Sequence, residues 1–393
     1  MINKIFLSFI SAITIFLLIS CNDSPTDLGV NFLNQDGVSL SKFDTSVDSM
    51  LQFSRNFKNV YSLGGSDQLL IGKAENVTAH ALIKFIFAIP DSIKSELLAR
   101  NLTVIDSWVE LIKNYRFGDS AATFDYGVYK INSSWTSSKF TADSLATLSY
   151  DNTDLSFNRT TENDTVYSFH VDTTLTSSWL QNYVDTTFGS NNGILISPTS
   201  NTQKVLGFTA FNTSGVDDPR LRIVVQKPGE YIDTLIGYVA SDISSVLGEI
   251  QNVGTENLAI QSSLTSEAKL FFDLSVLPKD IVINSAILTL AVDTLQTKTG
   301  TNFTNSLRVY LLKDSSKNEL NTNFVYTLKR SNATYTGEIT NILRAWNNNV
   351  SNQGILVKAN NEIHGIEIFA VKGSNAAEIS KRPKLEIVFS RKK

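Results

Sequence analysis

The chain runs to 393 residues with a net charge of −4, 42% hydrophobic residues, seven prolines and one cysteine. That length fits two domains of ordinary size, and a normal apolar fraction with so little proline excludes a disordered stalk. The charge is mild and dispersed, with no basic run beyond the short tail Arg391-Lys-Lys393, which argues against nucleic acid or anionic lipid as a partner.

Met1 to Lys4 lead into an apolar run from Ile5 to Ile19, followed by Ser20 and Cys21. One basic residue and an apolar stretch shorter than the roughly 20 residues of a spanning helix predict a secretory signal. Ser20 before the only cysteine resembles the lipobox of bacterial lipoproteins. The resemblance implies a signal peptide over residues 1–20 and lipidation of the Cys21 thiol. The alternative is an ordinary signal peptide or a poor transmembrane helix. Two or three acyl chains anchor stably, since each buried methylene contributes about 0.8 kcal/mol. An acylated Cys21 leaves no thiol for a disulfide or a Cys-based metal site. Residues 21–41 are polar and read as a tether between lipid and protein. The expected address is the cell envelope, at the outer membrane, facing either the periplasm or the surface.

Two copies of one pattern follow. Leu82 to Ile93 matches Leu270 to Ile281 without a gap. Trp179 with Asn192-Gly-Ile-Leu-Ile196 answers Trp346 with Gln353-Gly-Ile-Leu-Val357, and Pro219 to Val225 answers Pro383 to Phe389. Anchors in the same order imply a duplicated fold. The breaker Lys227-Pro-Gly229 sets domains of 42–227 and 228–393, with Tyr231-Ile-Asp-Thr234 restarting a strand as Phe43-Asp-Thr45 does.

Strand signals dominate both copies. Ser107 to Ile112 places Val109 and Leu111 on one face and Trp108, Glu110 and Ile112 on the other. Tyr126 to Tyr129 and Leu221 to Val225 follow, then Ser285 to Val292, with Ala286, Leu288, Leu290 and Val292 on one face. Leu307 to Tyr310 and Leu385 to Phe389 complete the set. Short strands between Asn/Ser/Thr/Asp/Gly loops predict an all-β fold, a sandwich of antiparallel sheets in each of two tandem domains. Each copy adds one short helix: Val171, Leu175 and Trp179 in the first, and the stripe Ile339, Ile342, Leu343 and Trp346 in the second.

Chemistry is sparse. His80, His170 and His364 fall at different places in the repeats, His80 opposite Ala268 in the ungapped match, and none forms an i, i+4 pair. No nucleophile elbow, phosphate loop or dinucleotide fingerprint occurs. No catalytic residue, metal or cofactor is therefore expected, although a glycosidase pair of carboxylates is not excluded by sequence. The acid pairs Asp217-Asp218 and Asp151 with Asp154 read as turn formers, with structural calcium as the alternative. Trp179 and Trp346 read as core residues that dock the helices. Trp135 is either a packing plug or an exposed ring. Trp108 is either covered by loops or a neighbouring domain, as its apolar equivalent Ile287 suggests, or an open plate beside Glu110. An open ring stacks on sugar C–H faces while the acid accepts hydroxyl hydrogen bonds.

The order "LLIGK…ALIKFIFAIPDSI", a strand like "SAILTLAV", Trp135-Thr136, "W…NGILI" and the final "DPRLRIVV" resembles the DNRLRE domain, a group that overlaps carbohydrate-binding module family 96. The resemblance covers Asp44 to Gln226 and Asp233 to Ser390. It implies jelly-roll sandwiches on secreted and surface proteins. The second copy has Asp314-Ser-Ser316 and no tryptophan where the first has Trp135-Thr136, which makes the first the likelier host of a ligand site. The expected function is a non-enzymatic, lipid-anchored envelope protein that binds polysaccharide, with Trp108, Glu110 and Trp135 as candidate contacts. The alternative is a structural or adhesive scaffold docking to an envelope protein.

Overall fold

The computed structural model describes residues 38–162, 164–211 and 215–392. Cys21, the signal segment and most of the expected tether lie outside the described residues. In chain order the strands are β1 (Val38–Asp44), β2 (Gln52–Lys58), β3 (Gln68–Ala74), β4 (Val77–Phe87) and, after helix α1 (Asp91–Leu98), β5 (Thr103–Phe117). Next come β6 (Tyr126–Lys130), β7 (Ser156–Glu162), β8 (Val166–Val171), helix α2 (Thr173–Val184), β9 (Ile194–Pro198), β10 (Val205–Thr209) and β11 (Arg220–Lys227). Then follow β12 (Tyr231–Gly248), β13 (Asn257–Gln261), β14 (Ser266–Phe272), β15 (Ile281–Ala291), β16 (Ser306–Asp314) and β17 (Glu319–Ser331). The chain closes with β18 (Thr334–Glu338), helix α3 (Thr340–Asn347), β19 (Ile355–Ala359), β20 (Ile368–Lys372) and β21 (Lys384–Lys392).

The fold is all-β, as expected, with two large antiparallel sheets that each fold around a core of their own. Period-two patterning builds both cores: Ala286, Leu288 and Leu290 of β15 are fully buried, as are Val109 and Leu111 of β5. Trp179 on α2 and Trp346 on α3 lie in the first and second core respectively. The first copy carries one helix more than expected, α1, entered from Pro90 at φ −59°. A proline there loses no hydrogen bond, because the first turn of a helix has no partner for its N–H groups. The same place in the second copy holds only a 3-10 turn, Leu274–Val276.

The sheets do not divide at residue 227. Strand β12 pairs first with β11, Lys227 facing Tyr231, and then runs along the whole of β4. Lys227-Pro-Gly229 is thus a hairpin turn inside one sheet, with Glu230 N–H donating to the Lys227 carbonyl. Conversely β1 pairs with β21 and β2 with β14, so the N-terminal strands complete the sheet of the second copy. Residues 38–41, expected in the tether, are part of β1. The reason lies in the duplication: β1 with β2 is the counterpart of β12, and each adds to the closing strand of a copy. Thr45 secures the exchange, its N–H donating to the Leu385 carbonyl at 3.1 Å and its hydroxyl accepting from Leu385 N–H at 2.9 Å.

Strand register also corrects the ungapped match. Ile83 pairs with Ile194, whereas the equivalent Ile355 pairs with Leu270, so Ile83 corresponds to Leu270 and His80 to Glu267 rather than Ala268. The loops confirm it. Asn191 and Asn352 each accept from the N–H two residues on at 3.1 Å, and donate to the Phe85 and Phe272 carbonyls at 2.9 and 2.8 Å. The following glycines, Gly193 (φ +82°) and Gly354 (φ +85°), sit where a Cβ would meet the Ile83 or Leu270 carbonyl oxygen at 2.1 or 2.6 Å. This is the physical content of the Asn-Gly-Ile-Leu-Ile signature: only glycine allows the approach.

A third apolar cluster joins the sandwiches. Leu70, Ala79, Leu82, Val205 and Ile243 from the first sheet pack with Ala259, Leu264, Ile366, Ile368 and Ala370 from the second. Both sheets are thus apolar on two faces where they meet.

Candidate functional site

Strand β5 carries the two residues that the sequence placed together. Val109 and Leu111 turn into the core, so Trp108 and Glu110 share the outer face, and the Trp108 indole Nε1 donates to Glu110 Oε1 at 3.0 Å. Neighbouring strands extend this pair into a row. Arg222 on β11 lies opposite Trp108, and its Nε reaches both Glu110 oxygens at 2.9 Å. On the other side His170 of β8 faces Trp108, and Phe157 of β7 faces His170. Their ring centroids stand 6.0 Å (Trp108–His170) and 5.5 Å (Phe157–His170) apart. Asp106, two residues before Trp108, holds His170 Nδ1 at 2.8 Å.

The result is an aromatic strip across β5, β8 and β7, flanked by the Glu110–Arg222 ion pair on one side and the Asp106–His170 hydrogen bond on the other. Phe157 is 46% exposed, whereas Trp108 is half-buried between its neighbours. The Glu110–Arg222 pair keeps about 30% of each side chain in solvent, 28% and 29%. At that exposure the pair orients groups and contributes little stability, up to about 1 kcal/mol. Arg222, His170, Asp106 and Phe157 were not legible as site residues, because only cross-strand register brings them to Trp108. The corresponding row in the second copy is Glu386, Ile287 and Glu338, with no aromatic ring.

Trp135 is not part of this face. Its indole donates to the Asn192 carbonyl at 2.8 Å, its ring lies edge-on to Phe140 at 6.2 Å, and it packs against the apolar cluster between the sandwiches. Of the two readings left open for Trp135, this arrangement matches the packing plug. Of the acids weighed for calcium, Asp151 and Asp154 are engaged locally. Asp154 Oδ1 accepts from Val128 N–H and Ser156 N–H at 2.9 and 3.0 Å, its Oδ2 meets Arg159, and Asp151 accepts from Asn132 at 2.6 Å. Among the described residues no group of three or more His, Cys, Asp or Glu is arranged to hold a metal ion.

The most deeply buried charges lie in the second copy. Lys358 donates to Glu267 at 2.9 Å, Glu362 at 3.1 Å and the Tyr61 hydroxyl at 3.0 Å, with its ammonium over the Tyr61 and Tyr310 rings. Burial alone would lower the Lys358 pKa, but the charges of Glu267 and Glu362 outweigh it and raise it. The equivalent pair in the first copy is neutral: His80 Nδ1 to Ser197 Oγ at 2.9 Å. Burial pulls the His80 pKa down to about 4.

No helix among the described residues is long and apolar enough to cross a membrane. No family model, curated protein or solved structure matches the chain.

Proposed function

We propose that this is a non-enzymatic, lipid-anchored protein of the cell envelope that binds polysaccharide on the outer face of β11, β5, β8 and β7. The observation that carries the reading is the strip Trp108, His170 and Phe157 between the pairs Glu110–Arg222 and Asp106–His170. Flat rings stack on the C–H faces of sugars, and the flanking carboxylates and guanidinium exchange hydrogen bonds with hydroxyls. An open sheet face suits an extended chain better than a single small molecule, which a concave pocket would enclose. The resemblance to carbohydrate-binding module family 96 points the same way.

The test is retention of the full chain on a panel of immobilised polysaccharides. One glycan should retain the wild type, and Phe157→Ala and Trp108→Ala should abolish retention while circular dichroism stays unchanged. No retention on any glycan, or retention indifferent to both substitutions, overturns the reading. The second reading, a scaffold docking to an envelope protein, is favoured by one feature. Phe53, 57% exposed, lies 6.3 Å from Phe271 on the outer face of the second sheet, beside a hollow that Arg55 and Lys269 also line.

A further inference from the structure

Two cations oppose each other on the outer face of the second sheet, away from the Trp108 strip. Strand β2 pairs with β14 so that Arg55 faces Lys269 and Phe53 faces Phe271. Like charges directly opposite on neighbouring strands are destabilising. Neither cation forms an ion pair among the described residues. The two acids whose charges reach Lys269 are engaged elsewhere, Glu267 with Lys358 and Asp314 with Lys317. Lys269 is 8% exposed and donates to the Ser315 carbonyl, with its ammonium 5.2 Å from the centre of the Phe57 ring. Arg55 is exposed.

The duplication shows how unusual this pair is. By strand register Lys269 corresponds to Leu82 and Arg55 to Ile243, a buried apolar pair. In the first copy residues 131–155 join β6 to β7, and Trp135, Phe140 and Leu148 of that segment belong to one apolar cluster with Leu82 and Ile243. The second copy joins β16 to β17 by residues 315–318 alone. Where the first copy lays its own aromatic side chains, the second leaves a hollow of about 330 Å³, within the usual range for small-molecule sites. Phe53 and Phe271 wall it with ring centroids 6.3 Å apart, Phe53 being 57% exposed. Arg55 and Lys269 complete the wall, and no described acid lines it. This lining selects its ligand. A cation is repelled and finds no carboxylate. A neutral apolar molecule would cover the guanidinium without giving it a partner. A bare inorganic anion would leave both rings in water. A ring that carries an oxyanion satisfies all four side chains, since the Arg55 fork pairs with two oxygens and the rings stack at an offset.

We propose that this hollow binds a small aromatic anion, its ring against Phe53 and Phe271 and its carboxylate or phosphate on Arg55, with Lys269 adding a second positive charge. The site is independent of the Trp108 face, and the experiment separates them. Calorimetric titration of the full chain at pH 7 uses a matched series of probes. Naphthoate and naphthyl phosphate share a ring and differ in head group, naphthol lacks the charge, naphthylmethylamine reverses it, and acetate lacks the ring. Naphthoate, naphthyl phosphate or both should bind saturably, one per chain, and the tighter of the two identifies the head group. Naphthol, naphthylmethylamine and acetate should each bind at least tenfold more weakly. Arg55→Gln and Phe53→Ala should each weaken the anion at least tenfold, Trp108→Ala should leave it unchanged, and added salt should weaken it further. Arg55 and Phe53 are both exposed, so either substitution leaves the fold intact, which circular dichroism checks. Three outcomes overturn the proposal: neither naphthyl anion binds at millimolar concentration, naphthol or naphthylmethylamine binds as tightly as the anions, or binding is indifferent to both Arg55→Gln and Phe53→Ala.

Discussion

Replacing Lys358 by Met tests the energetics of the most deeply buried ion pair directly. The side chains of Lys358 and Glu267 are 5% and 2% exposed, and Glu267 Oε2 already lacks a partner among the described residues. Met keeps an apolar stem of similar length but removes the ammonium that pairs with Glu267 at 2.9 Å and lies over the Tyr61 and Tyr310 rings. A buried carboxylate stripped of its partner costs about 3–5 kcal/mol. Glu362 fares better, because 27% of its side chain is exposed and it can turn to water. Whole domains are stable by only about 5–15 kcal/mol, so the loss is readily measured. Glu267→Met alone should cost less, since Lys358 keeps Glu362 and the Tyr61 hydroxyl. The double variant should lie near the wild type, with a coupling energy of about 2–3 kcal/mol favouring joint removal. Urea denaturation followed by tryptophan fluorescence gives all three numbers. A loss below about 1 kcal/mol in Lys358→Met, or strict additivity in the double variant, would refute the claim that the pair is desolvated and mutually dependent.

Two buried titratable groups should drive stability in opposite directions across one pH window. His80, pulled by burial down to about 4 from 6.5, stays neutral in the fold while the unfolded chain takes up a proton. Its contribution is present above pH 6.5 and is lost as pH falls towards 4, by roughly 3 kcal/mol at most. Asp242, 5% exposed, is pushed by burial up to about 6 from 3.8, so its contribution is full below pH 3.8 and is lost as pH rises through 6. His80→Asn should therefore flatten the decline in urea midpoint between pH 6.5 and 4, and Asp242→Asn should stabilise at pH 7 but not at pH 3.5. Removal of residues 38–58 should unfold the second sandwich, not the first, because it bares β21 and β14 and withdraws Phe43 and Met50 from the second core. Limited proteolysis should then yield a resistant fragment confined to residues 60–248, and aggregation should rise through the bared edges. Cleavage within the first sandwich instead would sink the strand-exchange account.

The sequence made alternation legible and register illegible. Ala286, Leu288 and Leu290, and the helical stripe Ile339, Ile342, Leu343 and Trp346, are buried where their periods put them. Those signals are local and need only neighbours along the chain. The match of Leu82 with Leu270 failed by one residue, because an extra residue between Phe272 and Pro278 restores alignment at Pro90 and hides the slip. A one-residue slip in a strand exchanges its two faces, so the error also concealed that His80 corresponds to Glu267. Arg222, Asp106 and Phe157 carry no signal in the sequence that ties them to Trp108, and only the register of four strands aligns them. Lys358 and Glu267 likewise carry no sequence signal that joins them, and only cross-strand packing with Tyr61 and Tyr310 buries them.

Strand exchange gives the duplication a mechanical consequence. With β1 and β2 in the second copy's sheet, the chain that continues towards Cys21 leaves from beside β21, while the Trp108 strip sits on the first copy's sheet. On the proposed lipid anchoring, tether and glycan face therefore belong to different sandwiches. Ordinary domains in series would swivel about a linker, since the interface between them is small and polar. Here three features act against swivelling: the exchanged strands, the apolar cluster around Leu82 and Ile368, and the hydrogen bonds of Thr301, whose N–H donates to the Arg116 carbonyl at 2.8 Å and whose hydroxyl accepts from Arg116 N–H at 2.9 Å. Divergence of the copies fits the same division. The first copy has Trp108 and a ring strip where the second has Ile287, whereas the second has Glu386 beside Lys42 and Lys384, the latter also reaching Asp44, which fixes the arriving N-terminal strand. One copy holds the N-terminal strands and the other carries the proposed glycan face, and the seam joins them.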